Sequence, residues 1–277
     1  MALRAKKPEA IQKRLKLFMF AQAGVGKTTA SVQMPNAYII DTEKGTENYA
    51  SLINGSNSVV FQTNDIEEVI KEVRSLLTEQ HDFRTLVIDP ITPLYDNLLE
   101  ACEKKVGSEF GRHYGEANKI MKRLFNLIMS LDMNVCVTCH AKTEYGDNLK
   151  KLGVTFDGWK KLDYIFDLVL SLEKQAKKRY ARVVKTRIES FPDGDRFEWD
   201  YNELVKRCGE TLTRASEAVK LATPEQTEEL TRLLKTVILP DGTLEKWLTK
   251  ANVDTLEDMP SDVISKCIEY VKSKLSA

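Results

Sequence analysis

The stretch Ala21-Gln22-Ala23-Gly24-Val25-Gly26-Lys27-Thr28-Thr29 concentrates two glycines, a lysine and two hydroxyls between an apolar run and a helical one. Such a turn can wrap its amides around a phosphate. Gly24 and Gly26 let the main-chain N–H groups around Val25 turn inward, helped by the positive end of the following helix. Lys27 would reach the outer phosphates, the Thr28 hydroxyl would ligate Mg²⁺, and Thr29 completes the set. The pattern is G-x-x-x-x-G-K-[ST] with Ala21 in place of the first glycine. That change costs a few tenths to about 1 kcal/mol if the position needs positive φ. The competing reading is a Gly-rich turn with an incidental lysine, but strand, spacing, Lys-Thr-Thr and helix all agree on a phosphate loop.

Two further stretches end in acids. "TLVID" (85–89) is a β-rich run closing on Asp89, which suits a Mg²⁺ held through water, or else an ordinary strand-end acid. "AYIIDTEKG" (37–45) delivers Asp41, one spacer, then Glu43. A carboxylate on the strand adjacent to the phosphate-loop strand could orient a water for in-line attack; a solvated turn is the bland alternative. "NVCVTCH" (134–140) ends in His140, whose neutral imidazole could donate to a phosphate or simply satisfy the strand end. The same run fits C-x-x-C-H, the c-type haem attachment pattern. Period-two alternation puts Cys136 and Cys139 on opposite faces of a strand, so neither haem nor zinc is expected.

Basic residues collect in three places. "KQAKKRYARVVKTR" (174–187) holds seven bases and no acid, and Lys185 and Arg187, two apart, share a face. Residues 141–161 interleave Lys150, Lys151, Lys160 and Lys161 with Tyr145, Phe156 and Trp159. Cations for phosphates and aromatic faces for bases are what sequence-independent single-stranded DNA binding requires. Residues 106–117 add Arg112, His113 and Tyr114, and the N-terminal arm "MALRAKKPEAIQKRLK" is basic too. A solvated basic surface remains the plain alternative for each.

These residues need a scaffold that gathers them along one edge. The strand candidates 15–20, 37–41, 58–62, 85–89, 134–140, 164–173 and 179–187 are interrupted by helical periodicity at 66–77 and 116–131, with 196–200 available to pair antiparallel. This alternation implies an α/β fold with a mainly parallel sheet flanked by helices. Ligands on such sheets bind beyond the carboxyl ends of the strands, which places Asp41, Glu43, Asp89 and His140 together. Residues 1–208 read as the core, 209–222 as a linker, and 223–277 as a small helical C-terminal unit. That unit opens on Thr223, Pro224 and Gln226, a capping box with proline at the first helical position.

Composition fits a 277-residue globular chain: 41 bases balance 41 acids, so net charge demands no polyanionic partner. No apolar run reaches membrane-spanning length, no export signal is recognised, and five scattered cysteines form no disulfide framework. A cytoplasmic location is the expectation.

Ile40-Asp41-Thr42-Glu43 after the phosphate-loop helix, together with "TLVIDPIT", resembles the RecA/RadA-like P-loop ATPases, and roughly residues 12–200 are similar to the small phage-encoded AAA-type, RecA-like proteins that include Sak-type single-strand annealing ATPases. The resemblance implies a RecA-like P-loop NTPase core binding ATP and Mg²⁺, with Glu43 as the catalytic base and His140 sensing the terminal phosphate. It also implies Lys185 and Arg187 reaching the ATP of a neighbouring subunit in a ring or filament, and DNA-binding loops after His140. The expected function is DNA-stimulated ATP hydrolysis in phage homologous recombination or strand annealing in the host cytoplasm, with the C-terminal helices open to a recombination or replication partner. A nucleotide-regulated interaction module without DNA contact is the alternative. A small-molecule kinase fits less well, because no Arg-rich lid follows Asp89.

Overall fold

A computed structural model of the chain describes residues 13–145, 151–213, 220–237 and 239–275. The apolar run Lys16–Ala21 is β1, buried along its whole length. It is followed by α1 (Lys27–Ser31), β2 (Ala37–Asp41), α2 (Ala50–Gly55) and β3 (Val59–Gln62). The amphipathic stretch then forms α3 (Ile66–Thr78), started by the Asp65 carboxylate accepting from the Glu67 amide at 2.8 Å. Its apolar stripe, Ile66, Val69, Ile70, Val73, Leu76 and Leu77, is buried. Truncating Leu77 to Ala would cost about 2–5 kcal/mol.

Next come β4 (Thr85–Asp89), α4 (Ile91–Val106), α5 (Arg112–Ser130), β5 (Asn134–Tyr145) and β6 (Lys151–Phe156). The core closes with α6 (Leu162–Ile165), β7 (Leu168–Gln175), β8 (Lys178–Thr186), β9 (Arg196–Glu198) and α7 (Tyr201–Cys208). The strands form one sheet in the order β3-β2-β4-β5-β1-β7-β8-β9, with β6 pairing off β5. Pairings from β3 through β7 are parallel; β8 and β9 add an antiparallel edge. This is the mainly parallel α/β sheet that the alternating pattern requires.

Period-two alternation sorts the strands between two cores. Phe18, Ile40, Ile88, Val137 and Cys139 face α3, α4 and α5, whereas Leu17, Met19, Ile39, Val87 and Cys136 face α1 and α7. The two cysteines of "CVTCH" thus lie on opposite faces. α8 (Pro224–Leu234), α9 (Thr243–Ala251) and α10 (Ser261–Leu275) close around a third cluster that includes Leu230, Met259, Ile264 and Val271. Thr223 and Gln226 make both bonds of the capping box. Both ends of the segment leading to this unit are anchored, Leu212 in one core cluster and Leu221 in the other. No described helix is long and apolar enough to cross a membrane.

Three expectations need correction, and one helix was not anticipated. β2 is not the neighbour of β1: β5 and β4 intervene, so Asp41 and Glu43 start two strands further out. Residues 91–106, where the sequence pattern named no element, form a helix that tolerates Pro93 because it falls in the first turn, where a missing N–H is harmless. The segment after His140 is an antiparallel hairpin of β5 and β6 rather than a structureless loop, its tip at 146–150 lying outside the described residues. The expected strand 164–173 begins as the short α6 and becomes β7 only at Leu168.

Candidate functional site

The phosphate-loop residues lie where β1 ends, on the carboxyl side of the sheet. Gly24 and Gly26 take φ of 76° and 107°, the left-handed conformations that their lack of a side chain allows. Ala21 instead ends β1 as a buried strand residue and carries no such φ, so the missing first glycine costs no backbone strain. Register places Ala21 directly beside His140 on β5. Lys27 reaches back over the turn, its Nζ donating to the Ala21 carbonyl at 3.1 Å. Burial pushes the Lys27 ammonium down from its ordinary pKa, while Asp89 and Glu43 pull it back up. Because α1 spans only five residues, any helix dipole is short, and the local positive field comes from the loop amides together with the Lys27 ammonium.

Asp89 ends β4, separated from β1 by β5 alone. It is 1% exposed and accepts hydrogen bonds from the Thr138 and Thr28 hydroxyls. Burial pushes its carboxyl upward, and the two hydroxyl bonds oppose that shift. Among the described residues no basic side chain forms an ion pair with it. A buried carboxylate joined to a threonine hydroxyl, without a paired cation, is a hard-oxygen donor set of the kind Mg²⁺ shares with phosphate oxygens and water. No described cluster of three or more His, Cys, Asp or Glu could cage a metal with protein ligands alone. Thr28 and Asp89 are therefore the residues that would hold Mg²⁺, and the ion would supply charge neutralisation to the outer phosphates.

The acid pair after β2 divides its labour. The Asp41 side chain is buried and accepts from the amides of Glu43 and Gly45 at 3.1 Å each, and from the amide and hydroxyl of Thr46 at 3.0 and 2.6 Å. Thr42 fastens the same turn to β4, its amide to the Asp89 carbonyl at 3.1 Å and its hydroxyl to the Pro90 carbonyl at 2.6 Å. Folded this way, the turn lays Gly45 against Thr28 and carries Glu43 back across β4. The Glu43 carboxylate meets His140 Nε2 at 3.1 Å, with both side chains about two-fifths exposed, at 41% and 37%. His140 is held in turn by its own amide donating to the Thr92 hydroxyl at 2.9 Å. The distance that the strand order opens is thus closed by the Asp41 turn.

Thr29 is already engaged: its hydroxyl lies 2.7 Å from the Tyr49 hydroxyl and 3.3 Å from Arg179 Nη2. Arg179 also donates from Nε to the Val25 carbonyl at 3.1 Å. Arg179 stands in the basic run 174–187, yet only the fold shows that it alone of that run touches the loop among the described contacts. Lys185 and Arg187 are elsewhere. Lys185 Nζ donates to the carbonyls of Asp163 and Phe166, and Arg187 to the Tyr164 carbonyl at 2.9 Å and the Asp167 carboxylate at 3.2 Å. Both would have to leave these bonds to serve a neighbour's phosphate.

A family profile described as an AAA domain matches residues 13–197, from the strand before the phosphate loop into β9. The chain belongs to that family. No curated protein matches it significantly. Among solved structures, this AAA-domain chain is similar to the RadB recombinase, at 18% identity and a TM-score of 0.43 over 74% of this chain and 91% of that one. It is also similar to the assembled ATPase EscN of the enteropathogenic E. coli type III secretion system, at 13% identity and a TM-score of 0.42 over 95% of this chain and 67% of that one. The AAA domain so delimited holds all of Gly24, Val25, Gly26, Lys27, Thr28, Thr29, Glu43, Asp89 and His140. The helices α8–α10 fall outside it.

Of the residues expected to stack on bases, Trp159 is buried against Phe125 and donates to Asn118 at 2.7 Å, and Phe156 packs edge-on against Phe18. Both serve the core. Lys160 and Lys161 are exposed; Lys150 and the N-terminal arm to residue 12 lie outside the described residues. The strongest exposed aromatic was not picked out from the sequence: Phe110, in the α4–α5 connection, is 98% exposed at φ 52°. Tyr114, two residues beyond Arg112, is also exposed.

Proposed function

We propose that this AAA-domain protein is a Mg²⁺-dependent ATPase that binds single-stranded DNA in phage homologous recombination or strand annealing. The observation that carries hydrolysis is the Glu43–His140 pair, held beside the loop by the Asp41 turn. Glu43 would align the attacking water and His140 would report the state of the terminal phosphate. Orienting the water supplies most of the catalytic benefit. Lys27, Thr28 and Asp89 would hold the phosphates and Mg²⁺. In this reading residues 1–208 perform the chemistry, 209–222 connect, and 223–277 dock a recombination or replication partner. Self-association into a ring or filament would let Lys185 and Arg187 act across the subunit boundary.

DNA contact finds support in Phe110, in the α4–α5 connection, and in Arg112 and Tyr114, in the first turn of α5, which together present two exposed aromatic faces and a cation. An exposed phenylalanine ring offers a face on which any base can stack without sequence preference. The test measures ATPase rate with and without single-stranded oligonucleotide at several salt concentrations. Stimulation that fades steeply with salt, and a Phe110→Ala chain binding the oligonucleotide more weakly by about 1–3 kcal/mol, are the expected results. Turnover indifferent to DNA, with no oligonucleotide retained, would leave a nucleotide-regulated interaction module instead.

A further inference from the structure

Arg179 enters the site from an unexpected side. It sits one residue into β8, with its carbonyl accepting from the Trp199 amide at 2.8 Å, so its main chain is fixed beside the antiparallel edge. From there its side chain reaches the outer side of the phosphate loop. Nε donates to the Val25 carbonyl and Nη2 to the Thr29 hydroxyl, which brackets Gly26, Lys27 and Thr28 between two prongs of one guanidinium.

Peptide geometry makes this contact informative. In a planar trans peptide the C=O and the following N–H point in opposite directions. With the Val25 carbonyl turned to Arg179, the Gly26 N–H faces away from it, toward the concave side where a phosphate would lie. The approach is so close that a Cβ built on Gly26 would fall 2.1 Å from Arg179 Nε. Gly26 therefore answers two demands at once: its φ of 107°, and room for the guanidinium.

We infer that Arg179 is a positioning residue, presetting the phosphate loop in its amide-inward form before nucleotide arrives. The inference rests on the ATP reading above and concerns how the loop is prepared. A lysine keeps the charge but cannot present two fixed N–H donors at this spacing. Preorganisation of this kind appears in ground-state affinity, because it removes an ordering cost that the ligand would otherwise meet.

The experiment titrates the full-length chain with a slowly hydrolysed ATP analogue and Mg²⁺, in wild type, Arg179→Gln and Arg179→Lys, alongside turnover and melting temperature. Arg179→Gln should raise Kd about tenfold, the scale of one charge-assisted hydrogen bond. Turnover at saturating ATP and melting temperature should stay close to wild type, and Arg179→Lys should recover only part of the affinity. Full recovery in Arg179→Lys would mean that charge alone suffices, and would overturn the two-pronged role. So would an unchanged Kd in Arg179→Gln, or an affinity loss that follows a fall in melting temperature. Should Arg179→Gln fail to fold, Thr29→Val removes one prong and should give a smaller rise in Kd; no rise would also overturn it. A wild-type chain that binds no adenine nucleotide would remove the ATP reading itself, and this inference with it.

Discussion

Asp89, at the mouth of the phosphate loop, and Asp258, in the seam beneath the C-terminal helices, are buried almost equally, at 1% and 3% exposure. Their surroundings differ in kind. Asp258 is met by two guanidiniums, Arg74 from α3 and Arg123 from α5, the latter at 2.9 Å, while Arg74 also donates to the Glu257 carbonyl at 3.1 Å. Lys122 adds a pair to Asp254 at 2.9 Å. That seam compensates charge with charge. Among the described residues Asp89 is met by two hydroxyls, and the nearby Lys27 is turned to Ala21. A carboxylate buried without a paired cation is costly, and its place at the carboxyl end of β4 suits the Mg²⁺ role proposed above. Burial alone therefore separates no functional acid from a structural one; the nature of the partner does.

The comparison predicts opposite phenotypes. Asp89→Asn should lower ATP turnover roughly a thousandfold, on the order of 4 kcal/mol of barrier, while leaving the melting temperature unchanged or higher. A clear fall in melting temperature would place Asp89 with the structural acids. Glu43→Gln should follow, cutting turnover by a few hundredfold, about 3.5 kcal/mol, with analogue affinity retained. Turnover equal to wild type would return Glu43 to the solvated turn. Asp258→Asn should reverse the pattern: about 3 kcal/mol of lost stability, near the low end for a broken buried pair because both guanidiniums keep some solvent contact, with turnover per folded molecule unchanged. Urea unfolding and hydrogen exchange along α3 and α5 would measure it. Lost activity without lost stability would make the seam part of the site.

How legible each region was in the sequence follows from the same physics. The phosphate loop was readable because its requirements are local: positive φ at Gly24 and Gly26, then Lys27 and Thr28 at fixed spacing. The sheet and its parallel sense were readable from alternating periods. Strand order was not, since nothing local tells β2 that β4 and β5 will stand between it and β1, and so the Glu43 strand was set beside the phosphate-loop strand. The Asp41 turn that corrects this placement is spelled by Asp41, Thr42 and Thr46, but its bonds to Asp89 and Pro90 cross from β2 to β4. Arg179 and Asp258 were illegible for a related reason. One basic residue in a run of seven, or one acid in an acidic tail, acquires its meaning from partners roughly 150 residues away. Trp159 and Phe156 show the converse error, aromatic composition mistaken for an exposed face when the core claims both.

A third buried charge sharpens the comparison because, among the described residues, it has no salt bridge and stands at the far end of β1 from the phosphate loop. Lys16 opens β1, and its buried ammonium donates to the carbonyls of Leu131 and Met133 at 3.0 and 2.9 Å and of Ile128 at 3.3 Å, closing the C-terminal end of α5. Burial pushes its pKa down from 10.5 to about 7, with Asp132 and Asp167 resisting. Below pH 7 the folded and unfolded chains are both protonated at Lys16, and the burial cost is present in full. Between 7 and 10.5 the unfolded chain holds the proton that the folded one has released, so stability rises with pH. Above about pH 9 the buried thiols act in the other direction: Cys139, pushed up to about 12, keeps its proton in the fold after an unfolded thiol has lost it. The clean window is therefore pH 7 to 9, where Lys16 should add up to about 1.4 kcal/mol of stability per pH unit. Urea midpoints across that window should climb in the wild-type chain and climb less steeply in Lys16→Met, where only the smaller contributions of the other partly buried lysines, Lys27 and Lys185, remain, while ATP turnover measured per folded molecule shows no matching difference. A slope in Lys16→Met equal to that of the wild-type chain would mean that the three carbonyls hold the ammonium charged throughout, and that main-chain dipoles compensate buried charge as well as the paired arginines at Asp258 do.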